Sequence, residues 1–300
     1  MKKILVSGLI NTETTVKVRK FPIEYYPIDY NFFGVNTRVS GVAYNIAKAL
    51  KALGDEVRLV TMTGEDFSSQ YIISEVKKIG VSTEYINAVL SQTPSSVVLY
   101  DDEGKRQIHC DLKDIQDIKY EFQDDVYEEC DIVVACNINF NRELLRKAKA
   151  SGKIIATDVH VLGDINDEYN KDFMQCANIL FLSDENIKSD YREFLMEIEN
   201  KYNNDIIVLG MGSKGVLMYV KEENQFYELP AVTVGKVVNT VGAGDSLFSS
   251  FIHYYAKGLN PVEAIKKAEI FASYKIGYDG AAEGFANEEI IEELEEKLNL

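Results

Sequence analysis

The chain is short of cations, thiols and imidazoles, and each shortage closes a functional class. Lys and Arg total 32 against 48 Asp and Glu, a formal net charge of −16. Nucleic-acid and anionic-membrane surfaces need basic patches, so this balance argues against both as partners. It leaves room for a local anion site built from backbone amides. The four cysteines (Cys110, Cys130, Cys136, Cys176) contain no C-x-x-C pair, and only three histidines accompany them. That argues against a zinc site or a disulfide framework and for reduced thiols. His109, His160 and His253 share no triad spacing, so no nucleophilic hydrolase is suggested. No run approaches the ~20 apolar residues of a membrane span, and the start Ile4-Leu5-Val6 is too short for a signal peptide. A soluble, cytoplasmic protein is expected. G-x-x-x-x-G-K-[ST] is missing too, which removes the P-loop as a phosphate cradle.

What is present is an ordinary globular composition, 46% hydrophobic over 300 residues, enough for one large α/β domain. Apolar strand runs at 4–6, 57–62, 132–135, 154–157, 179–182 and 206–209 alternate with helical patterns at about 42–53, 68–79, 142–150 and 189–199. Such alternation predicts a mostly parallel sheet covered by helices on both faces. The last third reads as helices at about 247–256, 262–276 and 288–298. With no internal repeat and no long linker, a single domain over 1–300 is expected.

Residues 12–19 alternate polar and apolar, as an exposed or half-covered strand does. Residues 21–33 are rich in Tyr, Phe and Pro without helical periodicity, and suit either a pocket wall or a small sheet. A hairpin is expected from 96–100, the turn Asp101-Asp102-Glu103-Gly104, and 106–110.

The stretch Val238-Asn239-Thr240-Val241-Gly242-Ala243-Gly244-Asp245-Ser246-Leu247-Phe248 carries the strongest chemistry. Small residues run directly into a helical pattern, so the amides of Gly242, Ala243 and Gly244 would sit at a helix N-terminus, where they favour a phosphate. Asp245 in that first turn has two readings: ordinary capping, or a base beside an anion site. Asn45 has a similar ambiguity, being a poor helix former one turn inside an otherwise apolar helix. Gly210-Met211-Gly212-Ser213-Lys214-Gly215 matches G-x-G-x-x-G after a strand, but Val216 to Val220 continues as a strand. A strand–turn–strand is therefore expected rather than a dinucleotide site.

The string Asn-Thr-Val-Gly-Ala-Gly-Asp-Ser-Leu-Phe resembles the C-terminal signature of the ribokinase-like (PfkB) sugar and nucleoside kinases, and the resemblance runs through about residues 4–287. Val6 to Glu13 resembles the family's first strand and substrate-contacting turn, with Asn11 matching and Glu13 standing where Asp is usual. Ser40 to Asn45 resembles the G-G-x-x-x-N sugar segment, with Ser40 for the first Gly. Thr63 to Phe67 resembles G-x-D-x-[FG], Gly210 to Gly215 the nucleotide-side turn with Gly210 for Thr, and Gly280-Ala281-Ala282 the late Gly-Ala element. That element borders the adenine pocket and, in some members, a monovalent-cation site. Two departures stand out: Asn239 replaces the usual Asp, and Ser183-Asp184-Glu185-Asn186 stands in place of N-x-x-E, leaving the magnesium-organising residues unassigned.

The resemblance implies a ribokinase-like fold, a central mostly parallel sheet flanked by helices, with a small β-sheet lid built from about 12–33 and 95–110. It implies an ATP-dependent kinase, with Mg²⁺ and in some members a monovalent cation, acting on a hydroxymethyl group of a small sugar. Asp245 would be the base, and Gly242, Ala243 and Gly244 the anion cradle. Asn11, Glu13, Gly41 and Asn45 would contact substrate, and Gly212, Gly215, Asn239 and Gly280 the nucleotide side. A homodimer through the lid is a further implication. Two alternatives stay open: a nucleoside kinase whose Tyr30, Phe32, Phe33 and Tyr100 stack a base, and a weakly catalytic sugar or nucleotide sensor.

Overall fold

The computed structural model describes residues 2–123 and 125–298. In chain order the first part is β1 Lys3–Ser7, β2 Asn11–Lys17, β3 Val35–Ser40, α1 Val42–Ala52, β4 Glu56–Gly64, α2 Phe67–Lys78, β5 Ile86–Leu90, β6 Ser95–Tyr100 and β7 Arg106–Asp111. Then follow α3 Asp125–Glu128, β8 Ile132–Ala135, α4 Asn141–Ala150, β9 Ile154–Val161, α5 Lys171–Cys176, β10 Ile179–Ser183, α6 Tyr191–Tyr202 and β11 Ile206–Gly210. The chain ends with β12 Val216–Val220, β13 Gln225–Leu229, α7 Ala243–Ala256, α8 Pro261–Lys275 and α9 Glu288–Leu298.

Among the described residues, nine strands form one sheet in the order β13-β12-β11-β10-β9-β8-β1-β4-β5. From β5 to β11 neighbours are parallel, while β11/β12 and β12/β13 are antiparallel. This is the expected ribokinase-like architecture, and its cause lies in the period-two pattern of the central strands. Ile4 and Val6, Ile132 and Val134, Ile179 and Phe181, and Ile206 and Val208 join one buried cluster with α1, α2, α7 and α8. Leu5, Val133, Leu180, Leu182, Ile207 and Leu209 join a second cluster with α4, α5 and α6 on the other face. Both faces being buried, these strands are apolar throughout.

A second sheet has the order β3-β2-β6-β7, with β2 and β6 parallel and the outer pairs antiparallel. Its composition differs from the expected lid. Segment 95–110 supplies its hairpin, but 12–33 contributes only β2, and the next strand is β3, which begins at Val35. The tract 21–33 forms no strand: Pro22 and Pro27 lack amide donors, and Tyr30, Phe32 and Phe33 stand 77, 83 and 98% exposed. Those three therefore line no enclosed pocket. Thr12 pairs with Ser95 and Lys17 with Tyr100, so Tyr100 sits roughly 17 Å along the strands from the Asn11 end. The aromatic base-stacking group expected from sequence is not assembled.

The parallel strands end together along one edge, where open α/β sheets place their ligands. Asn11 comes shortly after the end of β1, while His160, Ser183 and Gly210 lie in the last residues of β9, β10 and β11. The segment 210–216 is the expected strand–turn–strand, a 3-10 turn at Gly212–Lys214 leading into antiparallel β12.

Candidate active site

The turn 239–242 and the first turn of α7 make the centre of the site. Gly242 caps α7 with φ +78°, a conformation that favours glycine, and a Cβ there would stand 2.4 Å from the Ala281 carbonyl oxygen. The helical ladder begins with the Ser246 amide donating to the Gly242 carbonyl at 3.0 Å. The Ala243 amide donates to the Thr240 carbonyl at 3.2 Å, so of the three expected cradle donors this one is engaged within the turn. Gly244 is exposed, with open space around its Cα.

Asp245 is half-buried on that first turn, and α1 packs alongside α7. The packing brings together two residues 200 positions apart: Asn45 Nδ2 donates to Asp245 Oδ2 at 2.7 Å. Burial raises the Asp245 pKa, and Asp158 adds to the rise. The Asn45 hydrogen bond and the charges of His160 and Lys275 oppose it.

Asp158 and His160 are functional-edge residues that sequence reasoning missed. Strand β9 runs on to Val161 rather than ending at Thr157, and delivers both to the same edge as Asp245. His160 Nδ1 lies 3.3 Å from Asp158 Oδ2, and the His160 amide donates to Asp158 Oδ1 at 2.8 Å. The neighbouring Asp158 charge pushes the His160 pKa up to about 9. Burial would raise Asp158, but the His160 charge and hydrogen bonds hold it below the ordinary carboxylate value. A prediction on stability follows. With a folded pKa raised above 6.5, protonated His160 stabilises the fold fully below pH 6.5, and this is lost as pH rises through about 9. The melting-temperature margin of wild type over His160→Gln should shrink across that window. A margin constant from pH 6 to 9.5 would contradict the pairing.

The expected substrate residues cluster at the junction of the two sheets. Asn11 is 4% exposed; its Nδ2 donates to Ser96 Oγ at 2.9 Å, while its Oδ1 is buried without a partner. Asn45 Oδ1 is likewise buried and unpartnered. Buried acceptors are rarely left unmet, so these two atoms are open to a donor from water or from a ligand. Burial raises the Glu13 pKa, opposed by a 3.3 Å hydrogen bond from Ser40 Oγ and by the charges of Arg38 and Lys275. Gly41, at φ +103°, is required by packing: its Cβ would lie 2.6 Å from the Leu9 carbonyl, on which the Ala43 amide also donates. It seats the start of α1 against the loop before Asn11.

Of the residues expected on the nucleotide side, Gly212 and Gly215 both have positive φ, and a Gly215 Cβ would meet the Leu229 carbonyl at 2.0 Å. Hairpin packing alone accounts for that glycine. Asn239 spends both ends of its amide on protein: Oδ1 accepts from the Val241 amide at 2.9 Å and Nδ2 donates to Asp279 Oδ1 at 3.0 Å. Gly280 lies under the Arg38 guanidinium, which reaches from β3 to the Asp279 carbonyl and Oδ2 at 3.3 and 3.4 Å. Asp279 thus joins the second sheet to the turn before α7. Among the described residues no group of three or more His, Cys, Asp or Glu is placed to hold a metal. Asp184 Oδ2 accepts from the Tyr191 hydroxyl at 2.9 Å, and Ser183 Oγ is buried without a partner.

This arrangement belongs to a known class: the chain is a member of the pfkB family of carbohydrate kinases, whose family model matches residues 1–288. Among individual relatives, the ribokinase of Dictyostelium discoideum is 27% identical over an alignment of 310 positions, covering 92% of this chain and 95% of its own. The nucleoside kinase of Methanocaldococcus jannaschii is 23% identical, covering 86% and 85%. Among solved structures, a microbiome-derived acarbose kinase superposes with a TM-score of 0.88 at 21% identity over 98% of this chain and 99% of its own. Arabidopsis thaliana ribokinase, complexed with ribose and ATP, gives 0.83 at 19% identity over 98% of both chains. The fold is the ribokinase fold. Among the described residues no helix is long and apolar enough to cross a membrane.

Proposed function

We propose that this chain transfers the γ-phosphoryl group of ATP to a hydroxymethyl group of a small sugar. The observation that carries the reading is the Asn45–Asp245 pair at the opening of α7, flanked by the unpartnered acceptors of Asn11 and Asn45. Family membership and the ATP complex of the Arabidopsis ribokinase support the donor.

In this reading the acceptor hydroxyl lies beside Asp245 while other sugar hydroxyls donate to Asn11 and Asn45 Oδ1. As the hydroxyl oxygen forms its bond to the γ-phosphorus, its proton passes to Asp245, and the bond to the departing ADP oxygen breaks. The Gly244 amide, on the exposed part of the first turn of α7, would face the charge on the transferring group. Mg²⁺, when bound, would supply charge neutralisation at the phosphates, held there largely by phosphate oxygens and water. The second sheet, tied down by Arg38 to Asp279, would shield the site from water as a lid. The same sheet exposes Val35 and Val97 on one face, which suits pairing with a second copy.

A nucleoside acceptor is the second reading, supported by the likeness to the M. jannaschii enzyme. Its base would need walls other than Tyr30, Phe32, Phe33 and Tyr100. Coupled ADP release across pentoses, hexoses, phosphosugars and nucleosides decides between them; turnover with nucleosides alone would sink the sugar assignment. Asn11→Ala should raise the acceptor KM about tenfold, one hydrogen bond's worth at a buried polar atom, with kcat little changed. An unchanged KM would remove Asn11 from the acceptor site.

A further inference from the structure

Lys275, the last residue of α8, is a charged side chain with no exposed surface, and the steps above leave it without a role. Burying an ammonium is costly, and apolar replacements of buried charges are often neutral or stabilising, so packing alone does not call for a lysine. Its Nζ donates to the Val241 carbonyl, immediately before the Gly242 cap of α7. The strand of chain that holds it is joined to the same turn at further points. The Val238 and Asn239 amides donate to the Ile276 carbonyl at 2.8 and 3.1 Å, and Asn239 donates to Asp279. Asp245, Asp279, Glu13 and Glu283 are the acids whose charge it feels. Burial lowers its pKa to about 8, those four acids opposing the fall, so the ammonium stays mostly charged near neutrality.

A backbone carbonyl reached by a fully buried side chain and set among four acids suits a small monovalent cation, and an ammonium offers the same charge in compact form. We propose that Lys275 is a tethered monovalent cation: a positioning residue that holds the 239–242 turn through the Val241 carbonyl and keeps a fixed positive charge behind the transfer site. The protein then works without a dissolved potassium ion. This rests on the kinase reading above. It also accounts for Asn239, since a lysine in place of a free ion lessens the need for a further acid at that turn.

The test compares wild type and Lys275→Ala in potassium, sodium and tetramethylammonium chloride at equal ionic strength. Two readouts are taken, ADP release with the best acceptor and ATP affinity by calorimetry. Wild type should vary by less than about twofold across the salts, while Lys275→Ala should lose at least about tenfold in kcat in tetramethylammonium and recover much of it in potassium. Strong potassium stimulation of wild type would overturn the proposal. So would full activity of Lys275→Ala without potassium, or a loss that no small cation restores. If Lys275→Ala does not fold, the wild-type salt comparison decides alone. If wild type turns over no acceptor, the kinase reading fails, and the salt dependence of ATP affinity still judges Lys275.

Discussion

Asp245→Asn should lower kcat by about 10³-fold while leaving ATP and acceptor affinities within a few-fold of wild type. The amide is nearly isosteric and can still accept from Asn45 Nδ2, so the contact between α1 and α7 survives. What it cannot do is take a proton from an attacking hydroxyl. The competing account, that Asp245 is only a first-turn acid favoured by the helix dipole, predicts something else. It expects a stability loss of about 0.3–1 kcal/mol and no special effect on kcat. Steady-state kinetics beside thermal unfolding separate the two. A variant less stable but fully active would reduce Asp245 to a cap.

The second large effect belongs to Gly242. In Gly242→Ala the new Cβ would meet the Ala281 carbonyl oxygen at 2.4 Å, a backbone atom that no side-chain rotation can move away, on a residue already at φ +78°. The conformation alone costs about 1–2 kcal/mol for a residue with a Cβ, and the clash forces the turn away from the 281 loop. Displacing anion-facing amides costs catalysis on the order of 10²-fold, so kcat/KM should fall by about that much. Gly54→Ala is the control: φ is +92°, but nothing lies within 4 Å of the added Cβ and the site is elsewhere. It should lose stability and keep kcat. If Gly242→Ala behaves like Gly54→Ala, the 242 turn is not part of the catalytic apparatus.

Much of this was readable from the chain because the central strands are buried on both faces. Runs such as Ile4-Leu5-Val6 and Ile206 to Leu209 announce themselves without help from neighbours. The helix after the glycine turn was legible from Leu247 onward, yet it begins at Ala243, since capping geometry rather than hydrophobicity sets its first turn. Strands β3, β5 and β13 went unread. Val35–Ser40 has three exposed residues in a row, Ile86–Leu90 buries only Leu90, and Gln225–Leu229 pairs at the sheet's edge, so none shows strong alternation. Asn45 and Asp245 were each singled out by a local oddity, a helix-disfavoured amide and an acid beside small residues. Their hydrogen bond depends on how α1 packs on α7, which no local pattern encodes. His160 lay past the expected end of its strand. Lys275 looked like any basic residue in the last turn of a helix, and only its burial on the Val241 carbonyl sets it apart.

The central claim is phosphoryl transfer to a sugar hydroxyl, and it is tested most directly by following ATP labelled on its γ-phosphoryl group. The label should appear on the hydroxymethyl oxygen of one sugar class, in step with ADP formation, and this transfer should vanish in Asp245→Asn. Label recovered only as inorganic phosphate, or ATP bound but unchanged with every acceptor, would contradict it.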